Sequence, residues 1–433
     1  MKPGDFHRIS PPSASANGDP PCETTREWLV RAAGELSPLL EPAHQRYLTT
    51  ADMSDEDGRP CDVGVLLDRP TGEMNSILTN YFGFLHTAQA ASQKWADGDG
   101  PPPWPHFEQV WIPVDEHVQL SGRLGFALGP NGRRRHADCI VLLPGLFGDN
   151  GVTRTRDLAL ALRDRGFHVL ALELRGHGQT DRRYPNVFYT FGSLESQDLM
   201  RVSEWLEDRF SEVRRTGLIG FCWGGNLGIL AAWFDGRQPD DPSIPDSIAA
   251  RLAPISPRRH YTAGILAFSV LLRWEQAVDQ TATLHDPWRD PVFHAFQQVI
   301  RDRARMKQHP SMTTDLGRLI EYEYGRSEFT TAFSVMDAYR FIRLVPYQDR
   351  PCPPKLNRVR VPLLLVHAAN DMFALPQAIA DLMASTENPN VAGLILRGGG
   401  HVGFFAYNQA YTYSLILNFF DSQRGSAACA LAR

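Results

Sequence analysis

Clustered cysteines are missing from this sequence. Cys22, Cys61, Cys139, Cys222, Cys352 and Cys429 lie far apart, with no CxxC and no Cys/His group. Neither a zinc site nor a disulfide framework is expected, and a reducing, cytoplasmic setting fits best. An excess of positive charge is missing too: Lys+Arg number 44 against Asp+Glu 49, for a formal net charge of -5. Without a basic footprint for a phosphate backbone, nucleic acid is excluded as a partner. The polar, Pro/Ser-rich residues 1–21 lack the apolar core of a secretory signal. Phosphate-loop and dinucleotide fingerprints are absent as well, so neither a cofactor nor a metal is expected. One uncharged run, 217–234, is long enough for a membrane span. Its glycines and its asparagine fit a buried strand, turn and helix better, so no transmembrane segment is expected.

What is present is a chain of 433 residues, 43% of them hydrophobic and 21% charged. At roughly 100 to 200 residues per domain this gives one large or two modest domains, and it excludes disorder as the main state. Residues 1–22 read as a flexible tail. Residues 23–105 read as a helical N-terminal extension, with helical spacing over 27–39 and 75–94, closed by the Pro/Gly punctuation of 97–105.

From 106 the pattern changes to short apolar runs that alternate with helical ones. Strands are expected at 107–113, 120–128, 139–143, 167–173 and 216–220, with helices at 155–165, 194–210 and 223–234. The alternation resumes with strands at 361–367 and 393–397 and a last helix at 406–420. Continuous apolar strands separated by helices imply βαβ units and a parallel sheet covered on both faces, hence an α/β fold. The core comprises 106–235 and 355–433. Between them, 236–354 breaks the rhythm and reads as a helical cap over the carboxyl ends of the strands, where open α/β sheets bind ligands. Leu266, Phe268, Leu271, Leu272, Trp274, Trp288, Phe293 and Phe296 supply its apolar surface. The charged piece 301–309 reads as a solvated helix face.

The strongest chemical signal is Gly220-Phe221-Cys222-Trp223-Gly224-Gly225, between an apolar strand and an apolar helix. It has the form G-x-Nu-x-G of a nucleophile elbow with cysteine at the centre. So sharp a turn leaves no room for side chains at Gly220 and Gly224, and it strains the backbone of the nucleophile. The partial positive charge at the start of the following helix favours a thiolate. A buried core cysteine at a glycine-rich helix start is the bland alternative.

A thiol needs a base, and the base an orienting acid. Asp371 follows the apolar run ending at His367, and His401 stands in a glycine-rich turn before the last helix. The order Cys222, Asp371, His401 places each member on the loop after a strand. Asn370, Asp198 and His367 are the nearest substitutes and read as supporting. Two backbone N–H groups are expected to form an oxyanion hole, those of Trp223 and Leu146, with Phe147 as the fallback for the second.

The set PGLFGDN (144–150), RGHGQTD (175–181), GFCWGGN (220–226), NDMFALP (370–376) and GGGHVGFF (398–405) resembles the α/β-hydrolase superfamily, and within it the YheT-like esterase branch. That resemblance implies an α/β-hydrolase fold with a mostly parallel sheet, acyl chemistry on a catalytic triad, and a structural role for the RGHGQTD turn. Two positions depart from the family pattern: Cys222 replaces a serine, and Pro144 a histidine. The site residues are therefore expected to carry out hydrolysis of an ester or thioester through an S-acyl-enzyme. An acyltransferase or cyclase that passes the acyl group from a CoA or carrier-protein thioester to another nucleophile is the alternative, and a non-catalytic binding protein on the same fold the remote one. The expected partner is a small-molecule or carrier-bound acyl substrate.

Overall fold

A computed structural model describes residues 6–10, 12, 23–40, 47–48, 104–238, 240–249, 252, 257–327, 335–396, 398–404 and 409–425. The first helix, α1 (Thr25–Leu36), opens on a capping box: Thr24 accepts the Glu27 N–H, and the Glu27 carboxylate accepts the Thr24 N–H. Its apolar face carries Trp28, whose ring meets Phe419 edge-on at 5.3 Å. Residues 6–10, inside the expected tail, run along the last helix. Phe6 stacks on Tyr413 at 5.6 Å, and the Asn418 amide donates to the His7 carbonyl at 2.7 Å. The helix expected at 75–94 lies outside the described residues.

The core is one sheet built from β1 (Tyr47–Leu48), β2 (Glu108–Pro113), β3 (Gln119–Gly125), β4 (Ala137–Leu143), β5 (His168–Glu173), β6 (Val213–Phe221), β7 (Ile265–Phe268), β8 (Leu363–Ala368) and β9 (Val391–Leu396). Across the sheet the order is β1-β9-β8-β7-β6-β4-β5-β3-β2. The strands from β9 to β5 are parallel, while β1, β3 and β2 pair antiparallel at the two edges. Strands β4, β5, β7, β8 and β9 are buried at every position. This is why they read as unbroken apolar runs rather than as alternating ones.

Helices α2 (Thr153–Asp164), α3 (Gly178–Arg183), α4 (Glu195–Arg209) and α5 (Trp223–Gly236) follow the successive strands. The chain leaves β4 toward β5 on one side and leaves β6 toward β7 on the other. A crevice therefore opens between the carboxyl ends of the adjacent strands β4 and β6, where loops diverge and ligands bind in open α/β sheets. The uncharged run 217–234 divides between the end of β6, a tight turn and α5, buried throughout because it packs at the centre of the sheet. Among the described residues, no helix is long and apolar enough to cross a membrane.

Three features differ from the sequence expectations for the cap. Residues 265–268 form β7, hydrogen-bonded between β6 and β8, so a central strand lies inside the segment 236–354 that reads as the cap. A buried apolar run of four residues carries no periodicity that separates strand from helix. Leu266 and Phe268 accordingly belong to the sheet. After the short α6 (Asp246–Ala249), the helical insertion consists of α7 (Trp274–Thr281), α8 (Pro291–Met306), α9 (Leu316–Arg326) and α10 (Val335–Ile342). The sheet resumes with β8, α11 (Pro376–Ser385), β9 and α12 (Gln409–Gly425).

The second difference lies in 301–309, which is no simple solvated face. Arg303 and Lys307 are buried. Arg303 pairs with Glu323 of α9 at 2.7 and 2.8 Å and also donates to the Gly176 carbonyl. Lys307 pairs with Asp181. Alternating charge along a helix reads as solvated, and only the tertiary partners turn these two side chains inward. Third, Trp288 is 91% exposed and contributes nothing to a cap core.

Candidate active site

The turn after β6 is as tight as its sequence requires. A Cβ on Gly220 would lie 2.4 Å from the Gly224 carbonyl oxygen, and one on Gly224 would lie 2.3 Å from that of Pro144. Cys222, between them, has φ 52° and ψ -121°, a strained conformation for a residue with a side chain. Its N–H donates to the Phe268 carbonyl at 2.8 Å, which ties the elbow to β7, and the residue is 9% exposed.

His401 and Asp371 arrive from the loops after β9 and β8. The His401 Nδ1 lies 3.1 Å from both carboxylate oxygens of Asp371. Asp371 is fixed in turn by the N–H groups of Phe373 and Ala374, at 2.9 and 2.8 Å on Oδ1. The other ring nitrogen is left for the thiol of Cys222, which is hydrogen-bonded to the imidazole. Burial opposes a charge on His401. The attraction of Asp371 and of the Cys222 sulfur, with a hydrogen bond from each, outweighs it and pushes the imidazole up to about 10. Burial likewise opposes the Asp371 charge, but His401 and the backbone donors hold the carboxyl below its ordinary value. The three side chains thus form one connected relay, buried beneath the cap.

The donors expected of an oxyanion hole border the same crevice. Trp223 is the first residue of α5, where the helix leaves its leading N–H groups unbonded. Residues 145–148 form a turn closed by the Gly148 N–H on the Gly145 carbonyl at 2.9 Å. Among the described residues, no partner is found for the N–H of Trp223 or of Leu146. Phe147, the fallback, is committed elsewhere: its N–H donates to His177 Nε2 at 3.1 Å, and its φ is 61°.

His177 comes from the RGHGQTD turn. Its Nδ1 donates to the Arg175 carbonyl at 2.7 Å, so Nε2 is the acceptor. Burial, reinforced by the nearby cations Arg303 and Lys307, pushes it down to about 3, and the ring stays neutral. Here the histidine braces the turn that carries Leu146 and does not meet the sulfur.

The nearest substitutes are accounted for. His367 Nε2 accepts the Val270 N–H at 3.0 Å, and burial pushes the ring down to about 4. Asn370 accepts the Gly400 N–H at 2.8 Å and braces the histidine loop. Asp198 is held in a buried ion pair with Arg175, away from the relay.

Several residues near the relay are given no role at the site by the sequence. Ser269, at the end of β7, accepts the Val402 N–H at 3.1 Å, and the Arg154 guanidinium donates to the Val402 carbonyl at 2.8 Å. Phe373 packs 5.0 Å from the His401 ring, and Phe293 and Phe296 of α8 pack on the Phe373 ring at 4.9 and 5.4 Å. The sequence signal for these was only an apolar helix and a buried Asx-type turn.

Against this geometry, the model of the alpha/beta hydrolase family matches residues 140–411. YheT of Escherichia coli (strain K12), an esterase by name, is 23% identical over 301 residues, 69% of this chain and 78% of that protein. Phospholipase ABHD3 of Homo sapiens is 37% identical over a shorter stretch of 78 residues, 18% of this chain and 19% of that one. Among solved structures, the Pyrococcus furiosus esterase Pf2001 is 18% identical with a TM-score of 0.44, covering 74% of this chain and 98% of its own.

Proposed function

The chain belongs to the alpha/beta hydrolase family, on its YheT-like esterase branch, and from that premise we propose that it hydrolyses an ester or thioester through an S-acyl-enzyme on Cys222. The single observation that carries this reading is the relay from the Cys222 sulfur through His401 to Asp371, with Nδ1 3.1 Å from the carboxylate.

His401, oriented by Asp371, takes the proton of the Cys222 thiol. The sulfur then attacks the acyl carbonyl while the C=O electron pair moves onto oxygen, where the N–H groups of Trp223 and Leu146 receive it. One such donor contributes about 3 kcal/mol to the transition state. Collapse of the tetrahedral species breaks the bond to the leaving oxygen or sulfur, which takes the proton from His401 Nε2. The neutral imidazole next removes a proton from water. The hydroxide equivalent attacks the thioester, and the second collapse returns the acid and regenerates the sulfur beside a protonated His401.

One observation favours transfer as a second reading. The His401 ring packs against Phe373, which is backed in turn by Phe293 and Phe296, an apolar flank that disfavours water beside the imidazole and favours an acceptor brought in by the substrate. A thioester acyl-enzyme is also close in energy to CoA or carrier-protein thioesters, so exchange with them needs little driving force.

Intact-protein mass spectrometry with p-nitrophenyl esters and acyl-CoA probes of increasing chain length tests the reading. An acyl adduct on Cys222, absent in Cys222→Ala, is expected. Discharge by water supports hydrolysis, and discharge only on addition of an amine or alcohol supports transfer. Turnover that survives in Cys222→Ala overturns both.

A further inference from the structure

A half-buried guanidinium lies beside the relay, on a helix that none of the family motifs covers. Arg154, in the first turn of α2, lies with its Cζ 4.7 Å from the centroid of the Phe221 ring, the residue before Cys222. Its Nη1 donates to the carbonyl of Val402, the residue after His401. One cation thus touches the sequence neighbours of both the sulfur and the imidazole.

Val402 is the reason this contact matters. Its φ is 61°, in the left-handed region, where a β-branched side chain is strained. A strained residue persists only where its surroundings over-determine it. At Val402 the N–H is held by Ser269 Oγ at 3.1 Å and the carbonyl by Arg154 at 2.8 Å. These two bonds grip the peptide groups on either side of the residue that follows His401. Releasing the carbonyl lets the loop relax toward an ordinary conformation and carries the imidazole with it.

The second consequence is electrostatic. Burial lowers the Arg154 affinity for its proton to about 10, against the attraction of the Cys222 sulfur on one side and of Tyr413 from α12 on the other. The guanidinium still keeps its charge at neutral pH. His401, in its protonated form, is the other cation facing the sulfur, and Asp371 lies beyond it.

We propose that Arg154 is a positioning residue of this site: it clamps the strained turn at Val402 so that His401 meets Cys222, and it places a fixed cation beside the sulfur. The proposal rests on Cys222 being the nucleophile, and its test separates the two claims.

The test alkylates Cys222 with neutral iodoacetamide and with anionic iodoacetate across pH, in the wild type, Arg154→Met and Arg154→Lys, with kcat and KM measured on a p-nitrophenyl ester. In Arg154→Met the iodoacetate to iodoacetamide rate ratio is expected to fall about fivefold, the effect of removing one positive charge that acts on the sulfur through a partly shielded site. The kcat is expected to fall at least tenfold with KM little changed. Arg154→Lys is expected to restore the ratio, because it keeps the charge. It is not expected to restore kcat, because an ammonium on a shorter, flexible stem does not reproduce the planar contact with Val402.

A ratio, pH profile and kcat in folded Arg154→Met that match the wild type overturn the proposal while leaving the nucleophile reading intact. Should Arg154→Met not fold, Arg154→Lys with unchanged kcat overturns the clamp by itself. A wild-type Cys222 that neither reagent alkylates removes the nucleophile reading, and this proposal with it.

Discussion

Replacing Asp371 with asparagine probes the relay at its most buried link. The Asp371 Oδ1 accepts two backbone N–H groups, from Phe373 and Ala374, as well as sharing the His401 Nδ1. An asparagine must leave its carbonyl oxygen with the two backbone donors. Its NH2 group then faces Nδ1, and two donors cannot bond. The imidazole is driven to carry its proton on Nε2, toward the sulfur it is meant to deprotonate. A wrong tautomer of this kind costs about 10⁴ in kcat.

Stability responds in a pH window of its own. His401 is pushed from 6.5 to about 10, and at about 1.36 kcal/mol per unit the shift corresponds to roughly 4 to 5 kcal/mol, of which Asp371 is the largest favourable cause. Because the folded value is the raised one, this contribution is fully present below pH 6.5 and is lost as the pH climbs toward 10. The lowered Asp371 value describes the same interaction from the other partner. Counted once, it is present above pH 3.8 and disappears as the pH falls through the folded value. Urea midpoints measured between pH 6.5 and 10 should therefore fall steeply in the wild type and change much less in Asp371→Asn. An Asp371→Asn enzyme that keeps activity within tenfold of the wild type, or a stability profile parallel to it, refutes the reasoning.

Two further substitutions test the framework around the relay. Gly224→Ala places a Cβ 2.3 Å from the Pro144 carbonyl oxygen; the backbone must shift, so urea denaturation should register a loss of about 1 to 3 kcal/mol, with kcat falling more than KM rises. Glu323→Gln removes the partner of a buried Arg303 and weakens the acceptor for the Tyr189 N–H; stranding that guanidinium should cost about 3 to 5 kcal/mol, read as a drop in urea midpoint, and a wild-type midpoint would show the pair to be dispensable.

The sequence was legible wherever a local chemical requirement was met by residues close together in it. The elbow is such a case: Gly220 and Gly224 are dictated by a turn that buries each Cα against a neighbouring backbone, so the motif alone locates the strand, the turn and the helix. The parallel strands were legible because burial on both faces makes the middle of each a continuous apolar run, with polar residues such as Asp138, Glu173 and His367 kept to the ends. Asp371 and His401 could be found because each sits one loop beyond such a strand.

The features that stayed hidden are those set by contacts between distant segments. Strand β7 is four residues long, too short to show a period, and only its neighbours β6 and β8 make it a strand. Arg303 and Lys307 lie in a run that reads as solvated, and their partners, Glu323 and Asp181, come from other elements. Phe147 could not be excluded as an oxyanion donor until His177, 30 residues away, took its N–H. Chain-local sterics and burial write themselves into residue order and identity, and so determine the fold class and the three candidate groups. Which cations turn inward, which peptide N–H stays free, and how Ser269 and Arg154 hold a strained Val402 depend on distances across the folded chain, and linear order carries no record of those.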